Sequence, residues 1–164
     1  MHNIKIVHVK EAIKIAKELR QKGSSIVLAG GVFDILHIGH VKFLEKAKQQ
    51  GDILFVLLES DDNVRKLKGK NRPINTQKNR AMVLSALAFV DYVVRLSNLK
   101  TNTQYDAIVR KLRPSIIAIT AKDPNIVHKI RQANQINGKV VCVFQRISDQ
   151  STTRLARLIN QDLL

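Results

Sequence analysis

Apolar runs alternate with amphipathic stretches along this chain. Val9, Ala12, Ile13, Ala16 and Leu19 recur at helical spacing and stop short of Gly23, which predicts an amphipathic lead-in helix. Ile26-Val27-Leu28 reads as a buried strand, and Val41 to Lys48 as a helix. After a turn at Gly51-Asp52, Ile53 to Leu58 is a second buried strand, followed by a basic loop, Arg65 to Pro73, and a helix over 76–89 with Arg80 on its polar side. Tyr92-Val93-Val94 predicts a short strand, Tyr105 to Leu112 a helix, and Pro114 to Thr120 a strand. A helix near 125–136 then leads through Asn137-Gly138 to a strand over Val140 to Phe144, and a last helix opens after Ser151. This alternation predicts an α/β fold with a parallel sheet and helices on both faces, three layers in all. The expectation is one domain over residues 1–164, with 1–23 the lead-in helix and 24–164 the α/β core.

Composition narrows the class. Hydrophobic residues make up 45% of the chain, enough for a packed core and too many for disorder. No apolar run approaches a membrane span and no signal-peptide pattern follows Met1, so no membrane association and a cytoplasmic location are expected. Cys142, the one cysteine, lies in the last apolar run and is expected as a small core residue. Lys and Arg number 28 against 13 acidic residues, a net charge of +15, which favours anionic ligands without choosing among them. Aromatic residues at 4% are too few for a base-stacking surface, so nucleic acid is a secondary candidate behind nucleotides and phosphorylated metabolites.

One stretch carries chemistry, Gly30-Gly31-Val32-Phe33-Asp34-Ile35-Leu36-His37-Ile38-Gly39-His40. It joins a buried strand to a helix. The glycines remove bulk where a strand end meets a ligand, and His37 and His40 fall on the opening helical turn. Free N–H groups at a helix start attract phosphate, and two imidazoles beside them add donors. The plainer alternative has one histidine capping the helix and the other packing. Further on, Lys66, Lys68 and Lys70 with Arg72 follow a strand end of the same sheet, where a loop can close over triphosphate charge. Ser151-Thr152-Thr153 sits at a helix start, which suits capping and phosphate binding alike.

The string resembles the signature Gly-x-Phe-Asp-x-x-His-x-Gly-His of the cytidylyltransferase-like nucleotidyltransferases, which implies a Rossmann-like domain. His37-Ile38-Gly39-His40 also spells the motif of class I aminoacyl-tRNA synthetases, but the chain is too short for one and has no Lys-Met-Ser-Lys-Ser loop. The resemblance implies that His37 and His40 serve the α-phosphate of a nucleoside triphosphate, and Lys68, from its place in the loop after the strand end, is expected to assist catalysis. It places Gly30, Gly31, Val32, Phe33, Asp34 and Gly39 around the nucleotide and Arg80 on its phosphates. Ser151, Thr152 and Thr153 would hold the β- and γ-phosphates. Arg146, five residues before Ser151, matches an arginine of the glycerol-3-phosphate cytidylyltransferase branch.

Leu67-Lys68-Gly69, Arg72-Pro73-Ile74 and Val90 to Val94 are most similar to the adenylyltransferase domain of ADP-heptose synthases. That branch has Lys-Gly-Gly-Asp-Tyr where this chain reads Ile119-Thr120-Ala121-Lys122-Asp123-Pro124, and Asn-Gly-Cys in place of Gly30-Gly31-Val32. The implied reaction moves AMP or CMP from a triphosphate to a phosphorylated sugar or polyol, releasing pyrophosphate. Heptose 1-phosphate is the first candidate acceptor. Glycerol-3-phosphate cytidylyltransferase, a cofactor-precursor adenylyltransferase, and a noncatalytic nucleotide or nucleic-acid binder stand as alternatives. Magnesium is expected with ATP or CTP, riding mainly on the nucleotide with Asp34 the nearest acidic anchor and no metal ligand set of the protein's own. A homodimer is the expected assembly.

Overall fold

The computed structural model describes residues 5–145 of the 164. The elements run β1 (Ile6–His8), α1 (Val9–Gln21), β2 (Ile26–Gly31), α2 (Ile38–Lys48), β3 (Ile53–Leu58) and α3 (Asp61–Lys68). They continue with α4 (Gln77–Ser85), β4 (Tyr92–Arg95), α5 (Asn102–Leu112), β5 (Ile116–Thr120), α6 (Ile126–Asn134) and β6 (Lys139–Phe144). No helix among the described residues is long and apolar enough to cross a membrane.

The six strands of the described residues join one parallel sheet in the order β1-β4-β3-β2-β5-β6. Both faces are covered, which is why the central strands are apolar throughout rather than alternating. Ile26, Leu28, Phe55, Leu57 and Ile117 pack against Ala12 and Ala16 of α1, Ile108 and Leu112 of α5, and Ala133 of α6. Val27, Ala29, Leu54, Val56 and Leu58 point the other way, onto Phe43, Leu44 and Ala47 of α2 and Ala81 and Leu84 of α4. Successive residues of a strand face opposite sides, so one run builds two cores. The result is a three-layer, Rossmann-like α/β fold.

Helix starts follow local chemistry. Ser60 Oγ accepts from the Asn63 N–H at the start of α3 (3.3 Å), and Thr76 Oγ1 from the Asn79 N–H at the start of α4 (3.3 Å). At α5, the Thr101 hydroxyl and the Gln104 side chain cap each other's backbone.

Four expectations need correction. Ile6–His8 is a strand, paired with β4, where the sequence reading has none before the lead-in helix. The basic run is not all loop, because Arg65, Lys66 and Lys68 form the last turns of α3, where positive charge suits the helix C-terminus. The helix carrying Arg80 ends at Ser85, not Phe89. Cys142 is exposed, since β6 pairs only with β5 among the described strands and lies at the sheet edge.

Candidate active site

The sheet order reverses between β2 and β5. Chain order leads from β2 to β3 on one side, while β5 and β6 are added on the other, so a crevice opens beyond the C-terminal ends of β2 and β5. The sequence places Gly30-Gly31 at one of those ends and Thr120-Ala121 at the other.

Steric demands fix the turn that follows β2. A Cβ on Gly31 would lie 2.9 Å from the Phe33 ring, and one on Gly39 would lie 3.0 Å from Cε1 of His37, so neither position accepts a larger residue without movement. Phe33 is held at φ 48°, a left-handed conformation that costs an aromatic residue about 1–3 kcal/mol. Its buried ring offsets this and stands edge-on to His40, with centroids 5.2 Å apart.

His37 is the N-cap of α2 and His40 lies in its first turn. Their rings stack with centroids 3.8 Å apart and planes 26° apart. Burial, and then the neighbouring His37, push His40 down to about 4, against a backbone hydrogen bond at Ile35 that acts upward. Burial also lowers His37. Both rings are therefore neutral near pH 7, and the stack carries no like-charge repulsion. The Nδ1 atoms of both are shielded from solvent and have no protein hydrogen-bond partner among the described residues. An unpaired buried nitrogen is costly, about 1–3 kcal/mol, and such groups gather where a ligand completes the bonding.

Asp34 plays a different part from the one expected. Its buried carboxylate accepts from Arg72 Nε at 2.6 Å, the Ile74 N–H at 3.0 Å and the Asn75 N–H at 2.9 Å, while Asn75 Nδ2 donates to the Asp34 carbonyl at 2.9 Å. Burial opposes its charge, but these partners outweigh that and hold the carboxyl below its ordinary range. Both oxygens are engaged, so Asp34 does not serve as a metal anchor. It latches residues 72–75 to the histidine turn. Among the described residues no three His, Cys, Asp or Glu side chains group to hold a metal ion.

Arg80 is likewise buried, not on a polar face: its side chain is 0% exposed. Nε donates to the Asn75 carbonyl at 3.0 Å, Nη1 to the Val32 carbonyl, and Nη2 to the Glu59 carbonyl at 2.9 Å and the Asp61 carboxylate at 2.7 Å. The guanidinium ties the ends of β2 and β3 and the start of α3 to α4. This geometry makes it a positioning residue.

Lys66, Lys68 and Lys70 are exposed and enter no ion pair among the described residues. Gly69, at φ 101°, turns the chain out of α3 toward Arg72, whose tie to Asp34 keeps this segment close to the histidine turn. The structure thus brings Gly30, Gly31, Val32, Phe33, Asp34, His37, Gly39, His40, Arg72 and Arg80 into one region. Arg146, Ser151, Thr152 and Thr153 lie outside the described residues.

A further polar cluster escaped the sequence reading. Tyr105 donates to Glu59 Oε2 at 2.7 Å, and Asn63 Nδ2 donates to Glu59 Oε1 at 3.0 Å and to the Leu99 carbonyl at 2.8 Å. Burial and the Glu59 carboxylate both push the Tyr105 phenol up. Glu59 at a strand end was the one available signal; nothing in the sequence marked Asn63 or Tyr105 as its partners.

The family model described as cytidylyltransferase-like matches residues 28–157, from β2 onward. The chain belongs to the cytidylyltransferase-like family. Curated relatives include the bifunctional protein HldE of Campylobacter curvus, 42% identical over 150 residues, which cover 86% of this chain and 31% of that protein. HldE of Wolinella succinogenes is 51% identical over 104 residues, covering 63% of this chain and 21% of the relative. The chain thus spans less than a third of the length of these relatives. Among solved structures, the lipopolysaccharide core biosynthesis protein of Thermoplasma volcanium superposes with a TM-score of 0.60 at 28% identity, over 79% of this chain and all of that one. A pantoate-beta-alanine ligase of Francisella tularensis shares the fold, with a TM-score of 0.63 at 16% identity over 97% of this chain and 78% of that one.

Proposed function

We propose that this cytidylyltransferase-like chain is a nucleotidyltransferase that transfers AMP from ATP to a heptose 1-phosphate, releasing pyrophosphate. The observation that carries the reading is the pair of stacked, neutral imidazoles at the start of α2, beside a side-chain-free strand end at the sheet's reversal point. The resemblance of Leu67-Lys68-Gly69, Arg72-Pro73-Ile74 and Val90 to Val94 to the adenylyltransferase domain of ADP-heptose synthases supports the heptose acceptor and the adenylyl donor.

A phosphate oxygen of the acceptor attacks the α-phosphorus in line, the new P–O bond forms, and the bond to the β-phosphate oxygen breaks with its electron pair leaving on pyrophosphate. No protein nucleophile takes part. His37 and His40 each turn their single N–H to the α-phosphate oxygens, where negative charge grows in the transition state, His40 exchanging its bond at the Ile35 backbone for the phosphate. Neutral rings suit this role, since they donate without a tightly held ion pair that must later be released. Lys68, with Lys66 and Lys70, closes over the β- and γ-phosphates, joined by Arg146, Ser151, Thr152 and Thr153. Arg80 and Asp34 act indirectly, by holding Val32 and the 72–75 segment in place. Magnesium enters as the magnesium–nucleotide substrate. The same reading includes a cytoplasmic location, where ATP is supplied, and a homodimer, for which exposed Leu67, Ile74, Met82 and Val83 offer apolar contact area.

The test is pyrophosphate release with ATP or CTP, each with magnesium and heptose 1-phosphate, glycerol 3-phosphate, flavin mononucleotide or pantetheine phosphate. Release with ATP and heptose 1-phosphate is the expected result. CTP with glycerol 3-phosphate would transfer the assignment to the cytidylyltransferase branch, and turnover only with a cofactor precursor to that group. Nucleotide binding with no release from any pair would leave a noncatalytic binder.

A further inference from the structure

At the N-terminal ends of the strands, away from the histidine turn, the ends of α1 and α5 and the starts of β5 and β6 surround an open cavity of about 500 Å³. Arg20, Arg113, Lys139 and Ser115 line it, with Ile116 and Ile136 as an apolar wall. No carboxylate lines it, and none of its three cations enters an ion pair among the described residues.

Helix ends account for only part of this charge. Arg20 donates to the Leu112 carbonyl, at the end of α5. Each helix C-terminus contributes roughly half a negative charge. The ends of α1, α5 and α6 together supply roughly one and a half, against three positive charges. Arg113 occupies the position after α5 at φ 49°, where glycine or asparagine meets the backbone demand at less cost. The helix end favours positive charge but the left-handed backbone does not favour an arginine, and its guanidinium adds to a cavity that already holds two cations. Burial and the Arg113 charge both work against Arg20's own charge, so an anion between them relieves an unfavourable pair.

We propose that this cavity is a second anion site, which takes the phosphate group of a small phosphorylated molecule. The guanidinium groups of Arg20 and Arg113 suit paired phosphate oxygens, and Lys139 adds a point charge. Ile116 and Ile136 offer a wall to the rest of the molecule. The volume falls within the range of small-ligand sites, about 300–1,000 Å³. Strand β5 separates the cavity from the nucleotide crevice by about 16 Å, five residues at about 3.3 Å each. The site is therefore independent of the reaction proposed above.

The test follows backbone amide shifts of the full chain as inorganic phosphate is titrated at constant ionic strength, with chloride as control. Saturable shifts at Ser115, Asn137 and Lys139 with phosphate and not chloride are expected. The double variant Arg113→Asn, Lys139→Gln should bind phosphate there about tenfold or more weakly, with unchanged nucleotide-induced shifts at Gly39 and His40. Asparagine tolerates the left-handed turn, and Arg20 keeps its bond to α5, so the fold is retained. Should the double variant fail to fold, Arg113→Asn alone gives the same direction. Phosphate shifts confined to Gly39 and His40, a non-saturating response, or undiminished affinity in the variant would each overturn the proposal.

Discussion

His40 concentrates the site's physics in one ring. Its ordinary value of 6.5 falls to about 4 in the fold, so between those limits the unfolded chain binds a proton that the folded chain refuses. Stability must therefore rise with pH across this window, and fall as pH drops from 6.5 toward 4, by at most about 1.4 kcal/mol per pH unit. Urea unfolding at a series of pH values should show this slope in the native chain and a clearly shallower one in His40→Asn, where only the lowered His37 remains of the pair. An identical slope in both would mean that the proton goes elsewhere. Asp34 acts at lower pH, since its depressed carboxyl contributes stability that is lost only below the ordinary carboxylate range. The same ring is expected to matter for rate. Removal of one donor aimed at developing charge typically costs about 10²–10³ in turnover, so His40→Ala should lower kcat by that order while far-ultraviolet circular dichroism stays native. Native turnover in that variant would end the α-phosphate assignment.

Helices α3 and α4 and the segment between them are held to the histidine turn by two buried ionic groups, not by apolar packing alone. Asp34 grips residues 72–75 and Arg80 grips Val32, Glu59 and Asp61. Breaking a buried, hydrogen-bonded pair leaves its partner uncompensated, at about 3–5 kcal/mol. Arg80→Lys should thus lower unfolding free energy by a few kcal/mol together with activity. An arginine that merely touched substrate phosphate would lose kcat/KM with unchanged stability, so calorimetric melting beside kinetics separates the two roles. Asp34→Asn should raise hydrogen exchange at the Ile74 and Asn75 amides; native protection there would remove the latch. None of this was legible in the sequence. Arginine and aspartate in a helix or turn read as solvated by default, and their burial depends on carbonyls contributed by distant strands. The buried strands were legible for the opposite reason: coverage on both faces demands unbroken apolar runs, and Ile53 to Leu58 matches β3 end to end. Strand β1, three residues long, offers too little pattern to detect, and α3 hides its single buried apolar residue, Val64, among charges. Cys142 misled because an edge strand carries the same residues as a central one.

The whole molecule contributes topology and field. An all-parallel sheet with its order reversed between β2 and β5 leaves one crevice beyond those strand ends, and the candidate residues gather there although they span from Gly30 to Arg80 in sequence. A net charge of +15 surrounds that crevice with an attractive potential for anions, a nucleoside triphosphate among them. This field acts on encounter over distances set by the ionic atmosphere, about 30 Å at 0.01 M salt and about 8 Å at 0.15 M. Contacts to bound phosphates are much shorter than either length. Encounter should consequently weaken with salt while the bound complex changes little. Raising monovalent salt from about 0.01 to about 0.15 M is expected to lower kcat/KM for the nucleotide several-fold and to change kcat by less than about twofold. Steady-state kinetics at fixed magnesium and pH measure both. A parallel fall in kcat would place the salt effect inside the bound complex, on the Lys66, Lys68 and Lys70 contacts, and a flat kcat/KM would show that the excess charge serves something other than nucleotide capture.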